Sequence, residues 1–440
     1  MRSSTETDVL IVGAGPAGLA AAAGLRGTGL RMLVVEQGSS LVERDAHRSR
    51  HLASGVGGAG LFSDGKFSFR PSATRLWELA PTSDLRNAYL RLTEALAAVG
   101  VGAPAFDASL PGAGHGTQWV GNARRKRYPS LYVSPGKRSQ LIGNLASVRD
   151  GCSLLTRTRA VMIRRDTHDC LSVTLQRSAP GGRPQVVRTR AVVLAGGRFG
   201  PLCDLVFDTP VFPSTFRRLE LGVRVEQPAD VFFLAKDPML DPKLLIDHES
   251  GRYSWRTFCC CRNGEVVATE FDGMTTLSGR ADCPPTGRSN VGFNLRITDE
   301  AEAVGLLHEM TARLRIPVAD NASTPLTSQP LGALIADGGP SRDSLLHQQF
   351  GERVAGLLCE GLRRLRAIAG AGLDAARVTG PTLEGVGRYP LVTADLRVPG
   401  FPVWVAGDSG GLFRGVTAAL VSGFFVSRRI ERYFRRMACH

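Results

Sequence analysis

Residues 8–26 read DVLIVGAGPAGLAAAAGLR, and RMLVVE follows at 31–36. The run 8–13 is short, apolar and rich in β-branched side chains, which predicts a buried strand. Residues 16–26 are alanine-rich and begin with proline, which predicts a helix with Pro in its first turn. Residues 31–36 predict a second strand. The stretch is therefore a β-α-β unit of about 30 residues. Gly13, Gly15 and Gly18 stand in G-x-G-x-x-G spacing between the first strand and the helix, and Glu36 ends the second strand. Each part has a physical task. Gly13 permits the tight turn, Gly15 lets a pyrophosphate approach bare backbone, and Gly18 lets helix and strand pack closely. The helix N-terminus, with Pro16 and Ala17 in its first turn, offers free N–H groups and a partial positive charge to the phosphates. The Glu36 carboxylate, followed by Gln37, can accept the hydroxyls of an adenosine ribose and leaves little room for a 2′-phosphate. These features together predict a dinucleotide site.

Two later stretches favour FAD, held non-covalently, over NAD. Residues 191–197, AVVLAGG, end an apolar strand in Ala195 and Gly196. Residues 402–411, PVWVAGDSGG, form another strand with Gly407-Asp408 at its end, and a helix starts after Arg414 at Gly415-Val416-Thr417. An Asp placed there can accept a ribityl hydroxyl. The next helix N-terminus can face the pyrimidine edge of a flavin and stabilise negative charge on it. Val161, on a strand expected over 158–164, is a further candidate contact.

A third glycine-rich stretch, SGVGGAGLFSDGK at 54–66, ends in a lysine. No apolar strand enters it, and Phe67 follows Lys66 where a phosphate loop needs Ser or Thr for Mg²⁺. Its position about twenty residues after Glu36 places Gly57, Gly58 and Ala59 along the flavin ring, with bare backbone against it.

With these residues in hand, the chain resembles the glutathione-reductase-type FAD fold along its whole length. More narrowly, GGAGLFSDGK (57–66), GVRVEQP (222–228), TFCCCRNGEVV (257–267) and AGDSGGLFRGV (406–416) are similar to motifs of a bacterial FAD-dependent dehydrogenase family. Arg262 stands where that family has a proline. The resemblance implies an α/β fold: a discontinuous, glutathione-reductase-like FAD-binding Rossmann domain with an inserted α+β substrate domain. The expected domains are 1–110, 130–205 and 381–440 for FAD, and 206–380 for substrate. The resemblance names no substrate.

Between the motifs, helical spacing predicts helices near 84–99, 136–149, 299–315, 344–370 and 415–437. Alternation predicts strands near 153–156, 171–177, 219–226, 253–268 and 291–297. Gly- and Pro-rich 100–130 and 317–343 read as loops.

The net charge of +14 is carried almost wholly by arginine, since only five lysines occur (66, 126, 137, 236 and 243). The basic residues are scattered apart from Arg124–Arg127 and Arg428–Arg436, so charge alone does not argue for nucleic acid. Neither nucleic acid nor membrane is expected as a partner, a homodimer is compatible with the sequence, and the cytoplasm is the expected location. Nine cysteines occur without a C-x-x-C spacing. In a strand, neighbours point to opposite faces, so Cys259-Cys260-Cys261 does not readily place three thiolates on one metal, and no metal site is expected.

The missing cysteine pair and the absence of a second G-x-G-x-x-G unit set the chain apart from disulfide reductases. Gly112-x-Gly114-x-Gly116 lacks a strand before it. NAD(P)H is then expected only as a transient reductant. Asp272-Gly273 resembles a hydroxylase motif without its following arginine and reads as a surface turn. The expected chemistry is hydride transfer between a small organic substrate, with anionic and carrier-bound compounds among the candidates, and flavin N5, with a dehydrogenase or oxidase in a biosynthetic pathway as the first reading. A flavoprotein monooxygenase is the second. A flavin-bearing protein that binds RNA or membrane through Arg428–Arg436 is the third. Candidate catalytic residues are Ser63, Asp64, Lys66 and Arg414, with His115, Tyr128, Tyr132, Arg256 and Tyr389 behind them.

Overall fold

The structure is a computed structural model that describes residues 5–107, 117–147, 151–167, 170–178, 183–200, 206–207, 213–271, 273–315, 326–336 and 341–438. His115, Asp272 and the glycines at 112, 114 and 116 lie outside the described residues. Two large sheets organise the chain. In the first, Cys152–Leu155, Met32–Val35, Thr5–Val12, Gln185–Leu194 and Val403–Val405 run parallel in that order. Parallel strands are covered on both faces and so read as continuous apolar runs. Val9, Leu10, Ile11, Val192 and Val193 are accordingly fully buried. Thr158–Thr167 and Cys170–Arg177 form an antiparallel extension beside Gln185–Leu194.

The glycine-rich turn opens the helix Pro16–Gly24. This phosphate helix packs against the C-terminal helix Val416–Ala438 so closely that a Cβ on Gly423 would sit 2.2 Å from the Ala17 carbonyl oxygen. Four arginines of that C-terminal helix are paired with acids, two across the fold and two along the helix. Arg429 and Arg432 reach buried Asp84 at 3.0 and 2.7 Å, and Arg428 and Arg435 reach Glu431. Among the described residues no helix is long and apolar enough to cross a membrane.

The second sheet is antiparallel. Its order is Gln329–Pro330, Arg377–Pro390, Ser214–Pro228, Arg288–Ile297, Tyr253–Cys261, Lys243–Asp247, Ala123–Lys126 and Thr117–Val120. One face carries Leu221, Val223, Trp255, Phe293 and Leu295 against the helix Leu345–Ala369, forming a second core. The alternate positions, Glu220, Arg224, Asn294 and Arg256, form a polar face.

The expected loop at 100–130 thus contains a hairpin that extends the second sheet. The strand Arg377–Pro390 also belongs to this sheet up to Pro390, so the chain returns to the first domain after that residue and not at 381. The expected strand 253–268 is two strands, because a bulge follows Phe258 and Asn263 has a positive φ of 48°. Glu265–Phe271 then pairs with Met274–Arg280 as a separate hairpin, with Gly273 in its turn at φ +73°.

Candidate active site

A cavity of about 550 Å³ runs from the glycine-rich turn to the edge of the second sheet, within the range of small-molecule and cofactor sites. At one end lie Gly13, Gly15, Pro16, Ala17, Glu36 and Gln37. Gly13 has φ +102°, and a Cβ there would stand 2.5 Å from the Ala195 carbonyl oxygen. Gly15 precedes the phosphate helix without any side-chain cap, so the first N–H groups face the cavity unclaimed. Gly18 does not line the cavity. A Cβ there would fall 1.9 Å from the Gly13 oxygen, so its task is packing, as its spacing predicts.

Glu36 is more occupied than expected. Its carboxylate accepts the N–H groups of Ala14, Gly38 and Gly55, each at 2.9 Å. A carboxylate accepts about four hydrogen bonds, which leaves it about one for a ribose. Glu36 therefore also ties three loops together. Thr158, Arg159 and Ala160 line this end of the cavity; Val161, the expected contact, does not.

The stretch 54–66 takes a different place from the one expected. Gly57 N–H donates to the Ala14 carbonyl at 2.8 Å, and a Cβ on Gly58 would stand 3.1 Å from Gly15 Cα. One on Gly60 would meet the Pro16 ring at 2.8 Å. These glycines let backbone press on the dinucleotide turn. Gly58, Ala59, Gly60 and Ser63 line the cavity, whereas Gly57 lies behind it.

Asp64 and Lys66 do not line the cavity. They form a 2.9 Å ion pair, 13% and 9% exposed, and Lys66 Nζ donates to the Cys260 carbonyl. Burial opposes the Lys66 charge, but Asp64 and the neighbouring thiols outweigh it and raise its pKa well above the usual lysine value. As catalytic candidates both residues are corrected: their charges are spent on clamping the 60s loop to the Cys259–Cys261 bulge. In that bulge Cys259 takes φ +49° and brings its Sγ within 3.8 Å of Cys261 Sγ. Asp64 lies close enough to complete a trio of metal-type ligands. The Lys66 ammonium and the fully buried Arg224 guanidinium are among the charges acting on these thiols. Accepting a hydrogen bond from Cys259, and facing those two cations, the Cys261 thiol is lowered in pKa despite its burial.

Next to the glycine-rich turn, and running on from it along the cavity, lie Ala195, Gly196, Gly407, Asp408, Arg414, Gly415 and Val416. Arg414 donates to Asp408 Oδ2 at 2.7 Å and pairs with Glu384, which also receives Arg198. Burial works against the Arg414 charge, yet these carboxylates raise its pKa further. Arg414 is thus a positioning group for Asp408. The second Asp408 oxygen, Oδ1, is buried and has no hydrogen-bond partner among the described residues. Such an orphan is costly unless a ligand fills it. Thr417 Oγ1, buried just behind the lining, is orphaned in the same way. An acceptor and a hydroxyl left open along this stretch fit the ribityl chain and flavin edge of FAD.

The far wall comes from the second sheet, with Glu384, Arg388, Tyr389 and Pro390, and from the separate hairpin, with Phe271, on which Phe199 packs at 5.1 Å between ring centroids. Sequence reasoning ranked Tyr389 low and missed the rest, which carry no local pattern. Tyr389 stands over Gly411, where a Cβ would fall 2.6 Å from its ring. The other low-ranked candidates lie off the cavity. Tyr128 donates to Asp241 at 2.9 Å, Tyr132 donates to Asp282, and Arg256 pairs with Glu220 at 2.6 Å.

Residues 6–54 match the family model described as FAD binding domain. The cofactor is FAD. The architecture is that of a glutathione-reductase-like FAD-binding domain with an inserted α+β domain. Among solved structures, the chain is similar to OxyS anhydrotetracycline hydroxylase from Streptomyces rimosus, at 16% identity over 98% of this chain and 63% of that one, with a TM-score of 0.40. It thus spans less than two thirds of that hydroxylase's length. It is also similar to a flavoprotein/dehydrogenase from Cytophaga hutchinsonii (15% identity, 98% and 79% covered, TM-score 0.40). Pyridoxine 4-oxidase from Mesorbium loti is similar at 12% identity, with 98% and 99% covered and a TM-score of 0.44. Comparison with curated proteins gave no match.

Proposed function

We propose that the protein is an FAD-dependent oxidoreductase of the dehydrogenase or oxidase kind, acting on a small organic substrate. The observation that carries this reading is the shape of the cavity. Its cofactor end is built by the first sheet, and its other end is walled by Tyr389 and Pro390 of the second and by Phe271 of the separate hairpin. A substrate held by the second sheet would therefore meet the reactive end of the cofactor. Bound FAD supplies a two-electron acceptor at N5. The chain's own residues would do the rest. The free N–H groups at the phosphate helix bind pyrophosphate, Asp408 orients the ribityl chain, and the Glu384–Arg414–Asp408 ion pairs hold the edge of the site rigid. The apolar wall excludes water. The motif likeness to a bacterial FAD-dependent dehydrogenase family supports the same reading.

The test is anaerobic mixing of the FAD-loaded protein with candidate substrates, followed through the visible flavin absorption. Bleaching by a substrate without NAD(P)H is the expected outcome. Bleaching only by NADH or NADPH, with oxygen later found in the product, would favour a monooxygenase instead. A protein that takes up no FAD would sink the proposal.

A further inference from the structure

We propose that the polar face of the second sheet, at Lys126, Lys243 and Arg256, binds an anionic group of the substrate, a carboxylate or a phosphate. This rests on the oxidoreductase reading above and adds a substrate class to it.

The register places these residues together. Lys126 stands directly opposite Lys243 in an antiparallel pair. Leu245, two residues along and so on the same face, stands opposite Arg256, which in turn stands opposite Asn294. The alternate positions Leu244 and Ile246 go to the apolar core. Like charges directly opposite across two strands destabilise a sheet, so this pairing calls for a counter-charge.

Asp241 and Glu220 attract Lys243, but among the described residues both are shared with other groups. Glu220 is engaged by Arg256 at 2.6 Å, Arg218 at 3.2 Å and Arg296 at 3.7 Å. Asp241 accepts from Tyr128 at 2.9 Å and from the Cys260 N–H at 3.1 Å. Lys126 Nζ reaches only the neutral Thr74 hydroxyl, at 2.8 Å. Neither lysine has a carboxylate within ion-pair distance among the described residues. Two further donors on this face lack acceptors among the described residues: Arg256 Nε, and Nδ2 of Asn294, which is fully buried. Burial, with the nearby cations, brings the Lys243 pKa down to about 8, and burial and Arg256 lower that of Lys126. Both lysines are part-buried rather than sealed from solvent.

The same face also meets the cofactor site. Arg217 donates to the Gly410 carbonyl at 2.9 Å and Arg218 to that of Gly411, in the turn between Asp408 and Arg414. An anion held by the lysines would anchor a substrate whose other end extends toward the cavity. Binding the group as an anion offsets the repulsion between the lysines, and this gain is open only to charged substrates.

The experiment titrates the FAD-loaded protein with inorganic phosphate and, separately, with succinate, at constant ionic strength so that general screening is equal in every sample. Melting temperature and the visible flavin spectrum are read in wild type, Lys126→Met and Lys243→Met. Neither substitution strands a carboxylate, so both variants are expected to fold. The expected result is a saturable rise in melting temperature for wild type with at least one probe, and an apparent Kd raised about tenfold or more in each variant. Equal titrations in wild type and variants, or no saturable response to either probe, would overturn the proposal. Flavin content and bleaching by dithionite are measured in every sample. A protein that stays loaded and reducible yet ignores both anions overturns this subsite alone. One that cannot hold FAD overturns the oxidoreductase reading beneath it.

Discussion

Asp408 divides its carboxylate between protein and cofactor. Oδ2 is held by Arg414, and Oδ1 is buried in the cavity wall without a partner among the described residues. Hydrogen bonds to charged groups contribute about 1.5–3 kcal/mol. Asp408→Asn should therefore weaken FAD binding by roughly 10- to 100-fold, read by quenching of flavin fluorescence on titration. An unchanged affinity would show that the open oxygen is not the ribityl acceptor. For Lys66 the geometry favours a structural ion pair over a flavin contact. Its motif pointed to the flavin, but its ammonium clamps Asp64 in a buried pair. Removing one partner of a buried pair costs about 3–5 kcal/mol. Lys66→Met should lower the denaturation midpoint while leaving the absorption of the bound flavin unmoved. A shifted spectrum with intact stability would return Lys66 to the site.

At the level of elements, the site depends on two helices whose N-termini converge. The phosphate helix and the C-terminal helix touch at Gly423, where no side chain fits. Gly423→Ala should cost about 1–3 kcal/mol through overpacking and reduce the FAD recovered with the purified protein. Normal flavin content and an unchanged melting temperature would refute the close contact. This half of the site was legible in sequence, because the glycine spacing, the acid after the second strand and the Gly-Asp turn each answer a local requirement. The other half was not. Glu384, Arg198 and Phe271 come from separate segments and reach the cavity only through tertiary packing. The hairpin at 117–126 hides in a Gly- and Pro-rich stretch, and its strands gain their meaning by extending a distant sheet. Alternation already puts Cys259 and Cys261 on one face of a strand, but the bulge that draws their sulfurs to 3.8 Å leaves no mark in the spacing.

For the molecule as a whole, Glu220 is the charge on which the polar face balances. Its carboxyl is fully buried, yet four arginines, Arg256, Arg218, Arg414 and Arg296, bring its pKa down from 4.5 to about 2. A lowered folded-state value means that the stabilisation is complete above about pH 4.5 and is lost as pH falls toward 2. Circular dichroism should show stability falling through that window, and Glu220→Gln should flatten the fall while lowering stability at neutral pH. The same acid profile in both proteins would refute this role. The order of segments along the chain has a further consequence. The strand Val403–Val405 seals the edge of Gln185–Leu194, and the helix after it covers the phosphate helix. During synthesis these pieces leave the ribosome after the strands and helix they cover, so until they emerge the nascent chain shows a bare strand edge and an uncovered apolar helix. The cofactor cannot lock in until translation has passed both. Flavin loading would therefore wait for segments about two hundred residues downstream of the strand they seal.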